Sequence, residues 1–206
     1  MEDVRLAAAW QRKYGKLAVF SFDVPQTIRD NIYPYLKAVL EAFEGEPTKI
    51  AIEDFGLTEA ELAQLEPLKG NEQFGFLLDA GHLHIRLNGK ANSKHTLFCY
   101  SELECPGRDL AKAPSKEDFL YAVKNKPFPV VEMHLHNNDG ARDVHWFLED
   151  GVMDIAMYAE VVKEVGYEGV MTIESAPGMC FECAGQDADD GIARTIDYWR
   201  RCMEKA

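Results

Sequence analysis

Apolar positions recur along this chain in two patterns that take turns. Residues 3–14 carry Val4, Leu6, Ala7, Trp10 and Tyr14 at helical spacing and predict a helix. "KLAVFSF" (16–22) is a continuous apolar and aromatic run, a buried strand closed by Pro25. Residues 27–45 predict a helix with Thr27 as cap and Gly45 as stop, kinked or split by Pro34. The alternation then repeats. Strands are expected at 49–56, 74–82, 128–136 and 167–175, and helices at 58–68, 115–125, 154–166 and 188–205. Residues 83–115 show no clear period, apart from a weak strand signal in "HTLFCY" (95–100).

Continuous apolar strands alternating with amphipathic helices are the signature of a parallel sheet covered by helices. The chain shows no short repeat and no low-complexity linker, so residues 1–206 read as one α/β domain. The polar residues follow a rule of their own. Glu53, Asp79, His134 and Glu174 each fall at the C-terminal end of a separate predicted strand. In a parallel sheet those ends point the same way, and in a β/α barrel they ring the mouth where chemistry is placed.

Composition narrows the field. Hydrophobic residues make up 47% of the 206 and aromatic residues 11%, enough for a real core. No apolar run approaches the roughly 18 residues of a membrane span, and the charged N-terminus lacks a signal-peptide core, so the expected address is the cytoplasm. A net charge of −13 repels phosphate backbones and argues against a nucleic-acid partner.

"VEMHLHNNDGARDVHWF" (131–147) gathers three of the six histidines with two aspartates and two asparagines. "LLDAGH" places Asp79 and His82 three positions apart directly after a buried strand. Carboxylates and imidazoles at four strand ends suit a shared divalent metal such as Mn²⁺, Zn²⁺, Co²⁺ or Mg²⁺. Without one, Glu53, Asp79 and Glu174 would repel one another. Cys99, Cys105, Cys180 and Cys183 offer a second, looser set for a structural zinc. Free thiols are the simpler expectation, because five cysteines without an export signal imply a reducing compartment.

"IAIEDFG", "FLLDAGH", "EMHLHNNDGARDVHWFLEDGVMDI" and "GVMTIES" together resemble the xylose isomerase-like TIM-barrel superfamily of sugar isomerases and epimerases, to which endonuclease IV also belongs. The resemblance implies metal ligands at Glu53, Asp79, His134 and Glu174, with Glu53 and Glu174 as the catalytic acid–base pair. It implies substrate-binding or supporting roles for His82, His136, Arg142, Asp143 and His145, with Gly140 turning their loop back over the mouth. The implied fold is a (β/α)₈ barrel lacking its first two strands, because only five strands are firmly read, so the expectation is either a fragment or a sheet closed by a homodimer. The implied reaction is proton abstraction next to a carbonyl in a small sugar or hydroxy-carbonyl substrate. The alternatives are metal-assisted hydrolysis of the endonuclease IV type and a non-catalytic metal-binding remnant. Where many relatives carry a histidine after the third barrel strand, this chain reads "FSFDVP", with Asp23 in its place.

Overall fold

The computed structural model describes residues 2–54, 56–90, 103–175 and 188–206. Five strands, β1 (Val19–Phe22), β2 (Lys49–Glu53), β3 (Phe74–Asp79), β4 (Val130–Leu135) and β5 (Val170–Ile173), form one parallel sheet in the order β1-β2-β3-β4-β5. Helices lie between successive strands: α2 (Ile32–Ala42), α3 (Glu59–Leu65), α4 (Ala80–Asn88) with α5 (Lys116–Lys124), and α6 (Ile155–Glu164). Helix α1 (Glu2–Tyr14) precedes β1, and α7 (Ala188–Lys205) packs beside α6. A strand order that never reverses is barrel progression rather than double winding. The sheet curls accordingly, bringing β1 and β2 toward β4 across its concave face. It is a half-barrel, the expected incomplete form of the (β/α)₈ fold.

Strand alternation decides which side chains meet the helices. Ile50, Ile52, Phe74 and Phe76 pack with Leu36, Leu40 and Leu65 beneath α2 and α3. Leu78, Met133 and Leu135 pack with Phe119, Tyr158 and Val162 beneath α4 to α6. The opposite face therefore carries Ser21, Ala51, Glu53, Leu77, Asp79, Glu132, His134 and Thr172, an interior that is mostly polar.

Local signals place the helix starts. Thr58 with Glu61 and Ser115 with Asp118 form capping boxes on α3 and α5. Pro34 lies in the first turn of α2, where its missing N–H would have had no helical partner. The expected 27–45 helix is thus split at Asn31, with a 3₁₀ turn over Gln26–Asn31 before α2. The larger correction concerns 74–82. The strand stops at Asp79, and Ala80–Asn88 is a helix buried along its whole length. Its buried His82, His84, Arg86 and Asn88 remove the polar stripe by which a surface helix announces itself. "HTLFCY" lies outside the described residues, as do Cys99, Cys180 and Cys183 of the proposed zinc set. Cys105 and Cys202 are buried free thiols.

Candidate metal centre

Four strand ends and one helix start build the site. Asp79 closes β3 and caps α4, its Oδ1 accepting the backbone N–H of His82 at 2.7 Å. That cap fixes His82 in the first helical turn, with Nδ1 2.5 Å from Glu53 Oε1 at the end of β2. His134 stands opposite Asp79 in the β3–β4 register. Its Nδ1 is 2.9 Å from Oε2 of Glu174, the residue after β5, whose backbone N–H donates to Leu135.

The loop after β4 returns over this mouth. Asn137 clamps it, donating to the carbonyls of Leu148 and Met153 and accepting from the Met153 N–H, while its backbone pairs with Trp146. Asn138 ties it to α4 by donating to the Gly81 carbonyl and accepting from His84 and Gly140. Gly140 makes the expected sharp turn at φ +79°. Asp143 Oδ1 then lies 3.2 Å from His82 Nε2 and 2.9 Å from His145 Nε2. His145 Nδ1 is 2.8 Å from the Glu174 carbonyl. It holds φ +47°, a conformation rarely adopted by residues with a side chain, and its ring stacks on His136 at 3.9 Å. Such strain persists only where the surroundings over-determine it.

Gly81 makes room for His136. A Cβ at residue 81 would sit 2.2 Å from the His136 ring. Ala at an ordinary helical glycine stabilises by up to about 1 kcal/mol. Gly81→Ala should instead destabilise by about 1–3 kcal/mol, the cost of overpacking. Chemical denaturation gives the sign, and a stabilised variant would show that His136 does not occupy this place.

The charges are strongly coupled. Burial pushes the Glu53 carboxyl up to about 8, against the pull of His82. Burial disfavours the charged ring of His82, but Asp79, Asp143 and Glu53 outweigh it and raise its pKa to about 11. His134 rises to about 10 and His145 to about 9 by the same contest, won by their carboxylate partners. Burial would raise Asp79, yet the charges of His136 and His82 hold it well below the usual carboxylate range. Asp143 is likewise depressed by His145 and His82.

The histidine contributions to stability are fully present below pH ~6.5 and lost as pH rises through the folded values. The aspartate contributions are present above pH ~4 and lost as pH falls. Glu53, raised to about 8, costs stability as pH rises from about 4.5, so metal-free protein should be most stable near pH 4.5 and weaken progressively toward about pH 11. Urea titrations across that range measure this, and a flat alkaline limb would mean that the imidazole–carboxylate pairs do not form.

Asp79, His134 and Glu174 offer ligand atoms within 4.8 Å of one another, as do Asp79, Glu53 and His82. Asp79 belongs to both trios, but Glu53 falls in a different trio from His134 and Glu174, so the four expected ligands do not form one group within that limit among the described residues. Asp79 Oδ2 is buried with no hydrogen-bond partner among the described residues. A buried carboxylate oxygen without a donor, among two other carboxylates and two imidazoles, fits a divalent cation. His82, His136, Asp143 and His145 form a further set within the same limit. Arg142 stands apart from all three sets, with its side chain 55% exposed and its Nε donating to Asp139 at 2.6 Å.

Glu132 is the member that sequence reasoning missed. It lies two residues before His134 on the same face of β4, with Oε1 3.4 Å from His134 Nε2 and accepting from the Thr172 hydroxyl at 2.9 Å. Burial raises its carboxyl, but His134, Ser21 and Thr172 together hold it below the ordinary value. A carboxylate on the far nitrogen of a ligating imidazole fixes its tautomer and orientation. The available signal was the charged residue inside "VVEMHL", spaced by one strand repeat from the histidine. Asp23, on β1's side, hydrogen-bonds Glu53.

The family described as xylose isomerase-like TIM barrel matches residues 11–203. An uncharacterized protein of Methanocaldococcus jannaschii is 24% identical over 155 residues, which cover 72% of this chain and 44% of that protein. The chain thus spans less than half the length of this curated relative. Among solved structures, a D-tagatose 3-epimerase-like protein superposes with a TM-score of 0.57 at 18% identity, over 97% of this chain and 69% of its own. An L-ribulose 3-epimerase gives a TM-score of 0.50 at 14% identity, over 98% and 69%. Both likenesses are of fold. No described helix is long and apolar enough to cross a membrane.

Proposed function

The chain belongs to the xylose isomerase-like TIM-barrel family, and from that premise we propose that it is a divalent-metal-dependent isomerase or epimerase of a ketose or other small hydroxy-carbonyl compound. The observation that carries this reading is the shared Asp79, a member of both the Glu53 trio and the Glu174 trio, whose Oδ2 has no hydrogen-bond donor among the described residues. Strand order puts Glu53 on β2 and Glu174 just past β5, so the two carboxylates flank Asp79 and His134 from opposite sides. A substrate seated between them presents one face to each.

Glu53, Asp79, His134 and Glu174 would hold the cation. When bound, it supplies the Lewis acid that polarises the carbonyl and lowers the barrier by several kcal/mol. Glu53 then removes the proton next to the carbonyl, and Glu174 returns one from the other face. Burial raises the Glu53 carboxyl in the metal-free protein, and a cation bound beside it would favour the ionised form that acts as a base. His82, hydrogen-bonded to Glu53 and kept charged by Asp79 and Asp143, is placed to hold a substrate oxygen and to stabilise negative charge that develops there. Glu132 orients His134 for ligation. The folds of the tagatose- and ribulose-epimerase structures support a ketose as the first substrate class to try.

The test is exchange in D₂O. Protein supplied with Mn²⁺ and a panel of ketoses should place deuterium on the carbon beside the carbonyl and build up the epimer, both read by ¹H NMR. Metal-loaded protein that exchanges no proton in any ketose, aldose or short hydroxy-carbonyl compound would end this reading.

One observation favours a second reading. His82, His136, Asp143 and His145 give room for another cation beside the first, the arrangement that hydrolysis by a metal-activated water needs. Two bound ions per chain with nicking of an abasic-site duplex would support it. The net charge of −13 opposes a nucleic-acid substrate.

A further inference from the structure

Directly behind the site, four charged side chains that the proposed reaction does not use are buried together. Arg86 Nη2 lies 3.2 Å from Glu104 Oε1 and 3.8 Å from Asp54 Oδ1. Lys126 Nζ pairs with Asp54 Oδ2 and lies 3.4 Å from Glu104 Oε2. The four side chains are 2–11% exposed. Two cations balance two anions. Even so, a buried ionic group adds little stability over well-packed apolar residues, because desolvation offsets most of the attraction. Its use is more often to fix one geometry among several.

The geometry it fixes can be read from chain neighbours. Asp54 follows Glu53 at the end of β2, and Arg86 follows His82 by four residues on α4. Residues i and i+4 share one face of a helix. The same strand and the same helix are therefore joined by two rungs, Glu53–His82 toward the concave face and Asp54–Arg86 toward the helix layer. The inner rung cannot hold His82 by itself throughout a reaction. When Glu53 turns an oxygen to a cation or takes up a proton, its contact with His82 weakens at the moment His82 is needed. The outer rung involves no reacting group and persists.

We propose that Arg86 and Asp54, braced by Glu104 and Lys126, are positioning residues that set where His82 stands relative to Glu53 and Asp79. For its catalytic meaning this rests on the function proposed above; the positioning itself can be measured without metal or substrate.

The experiment labels histidine rings with ¹⁵N in the full-length metal-free chain, with His82 assigned from a His82→Gln spectrum, and follows Co²⁺ binding in parallel. Arg86→Met should shift the His82 ring signals, weaken Co²⁺ binding by about 10–100-fold, as loss of outer-shell support does, and change the Co²⁺ absorption bands. Arg86→Lys should restore most of both. Leu40→Ala, a cavity in the separate cluster under α2, should lower the melting temperature and leave both readouts as in wild type. If Arg86→Met does not fold, the isosteric Asp54→Asn carries the same expectation. His82 signals unchanged in the folded variants would overturn the proposal. A wild-type protein that binds no Co²⁺ would remove the metal reading of the site, while the ring signals would still decide whether Arg86 positions His82.

Discussion

Glu53→Gln and Glu174→Gln should each lower turnover by about 10²–10⁴-fold at saturating Mn²⁺, the usual worth of a positioned acid or base. The two losses should differ in kind. If Glu53 works on one face of the substrate and Glu174 on the other, each single variant keeps one competent base. Glu53→Gln should then still exchange the proton of the epimer that presents its C–H to Glu174, without building up the opposite epimer, and Glu174→Gln should do the mirror image. Washing a proton in and out of one epimer while inverting none is what a single remaining base can do. Both glutamates are also proposed ligands, so the comparison has to be made with metal held far above its dissociation constant. Two variants that keep wild-type epimerisation would leave the paired-glutamate mechanism without support. Loss of all exchange in either one alone would assign both faces to that residue.

How the sequence encodes this arrangement differs from one part to another. The strands were legible because they are buried on both faces or nearly so, and "KIAIE", "FGFLLD" and "VVEMHL" read as apolar runs without needing a period. The strand-end rule singled out Glu53, Asp79, His134 and Glu174 because a carboxylate or imidazole that closes an apolar run needs a reason to be there. Helix α4 was illegible for the converse reason. Its residues are all buried, four of them polar, so neither its period nor its polarity distinguished it from loop. Once α4 is seen as a helix capped by Asp79, His82 and Arg86 fall on one face, and the buried charge quartet follows. Arg142 shows the limit of reading a loop by composition. Its sequence neighbours Asp143 and Ala141 gave no sign that it pairs with Asp139 at the surface while Asp143 turns inward. The weak strand signal at 95–100 and Cys99, Cys180 and Cys183 of the looser cysteine set fall outside the described residues.

Asp79→Asn should abolish the stabilisation that metal gives to the folded chain. A ligand that binds only the native state adds RT ln(1 + [L]/Kd), about 2.7 kcal/mol at 100 times Kd. Wild-type protein titrated with Mn²⁺ should therefore melt progressively higher, and the variant should not respond at the same concentrations. Asparagine is chosen because it keeps what alanine would remove. It is as good an N-cap as aspartate, so α4 can still begin at Ala80 and His82 still receives its backbone partner. What it lacks is the charge. In the metal-free protein that charge raises His82 and His134, so the variant should also bring both histidines closer to their ordinary pKa and flatten the alkaline fall in stability. The two effects have one cause, a carboxylate shared by both trios, and they should appear together. A variant with a wild-type Mn²⁺ response would place the cation elsewhere. A variant that loses the response but keeps the full alkaline fall would show that Asp79 binds metal without governing the histidines.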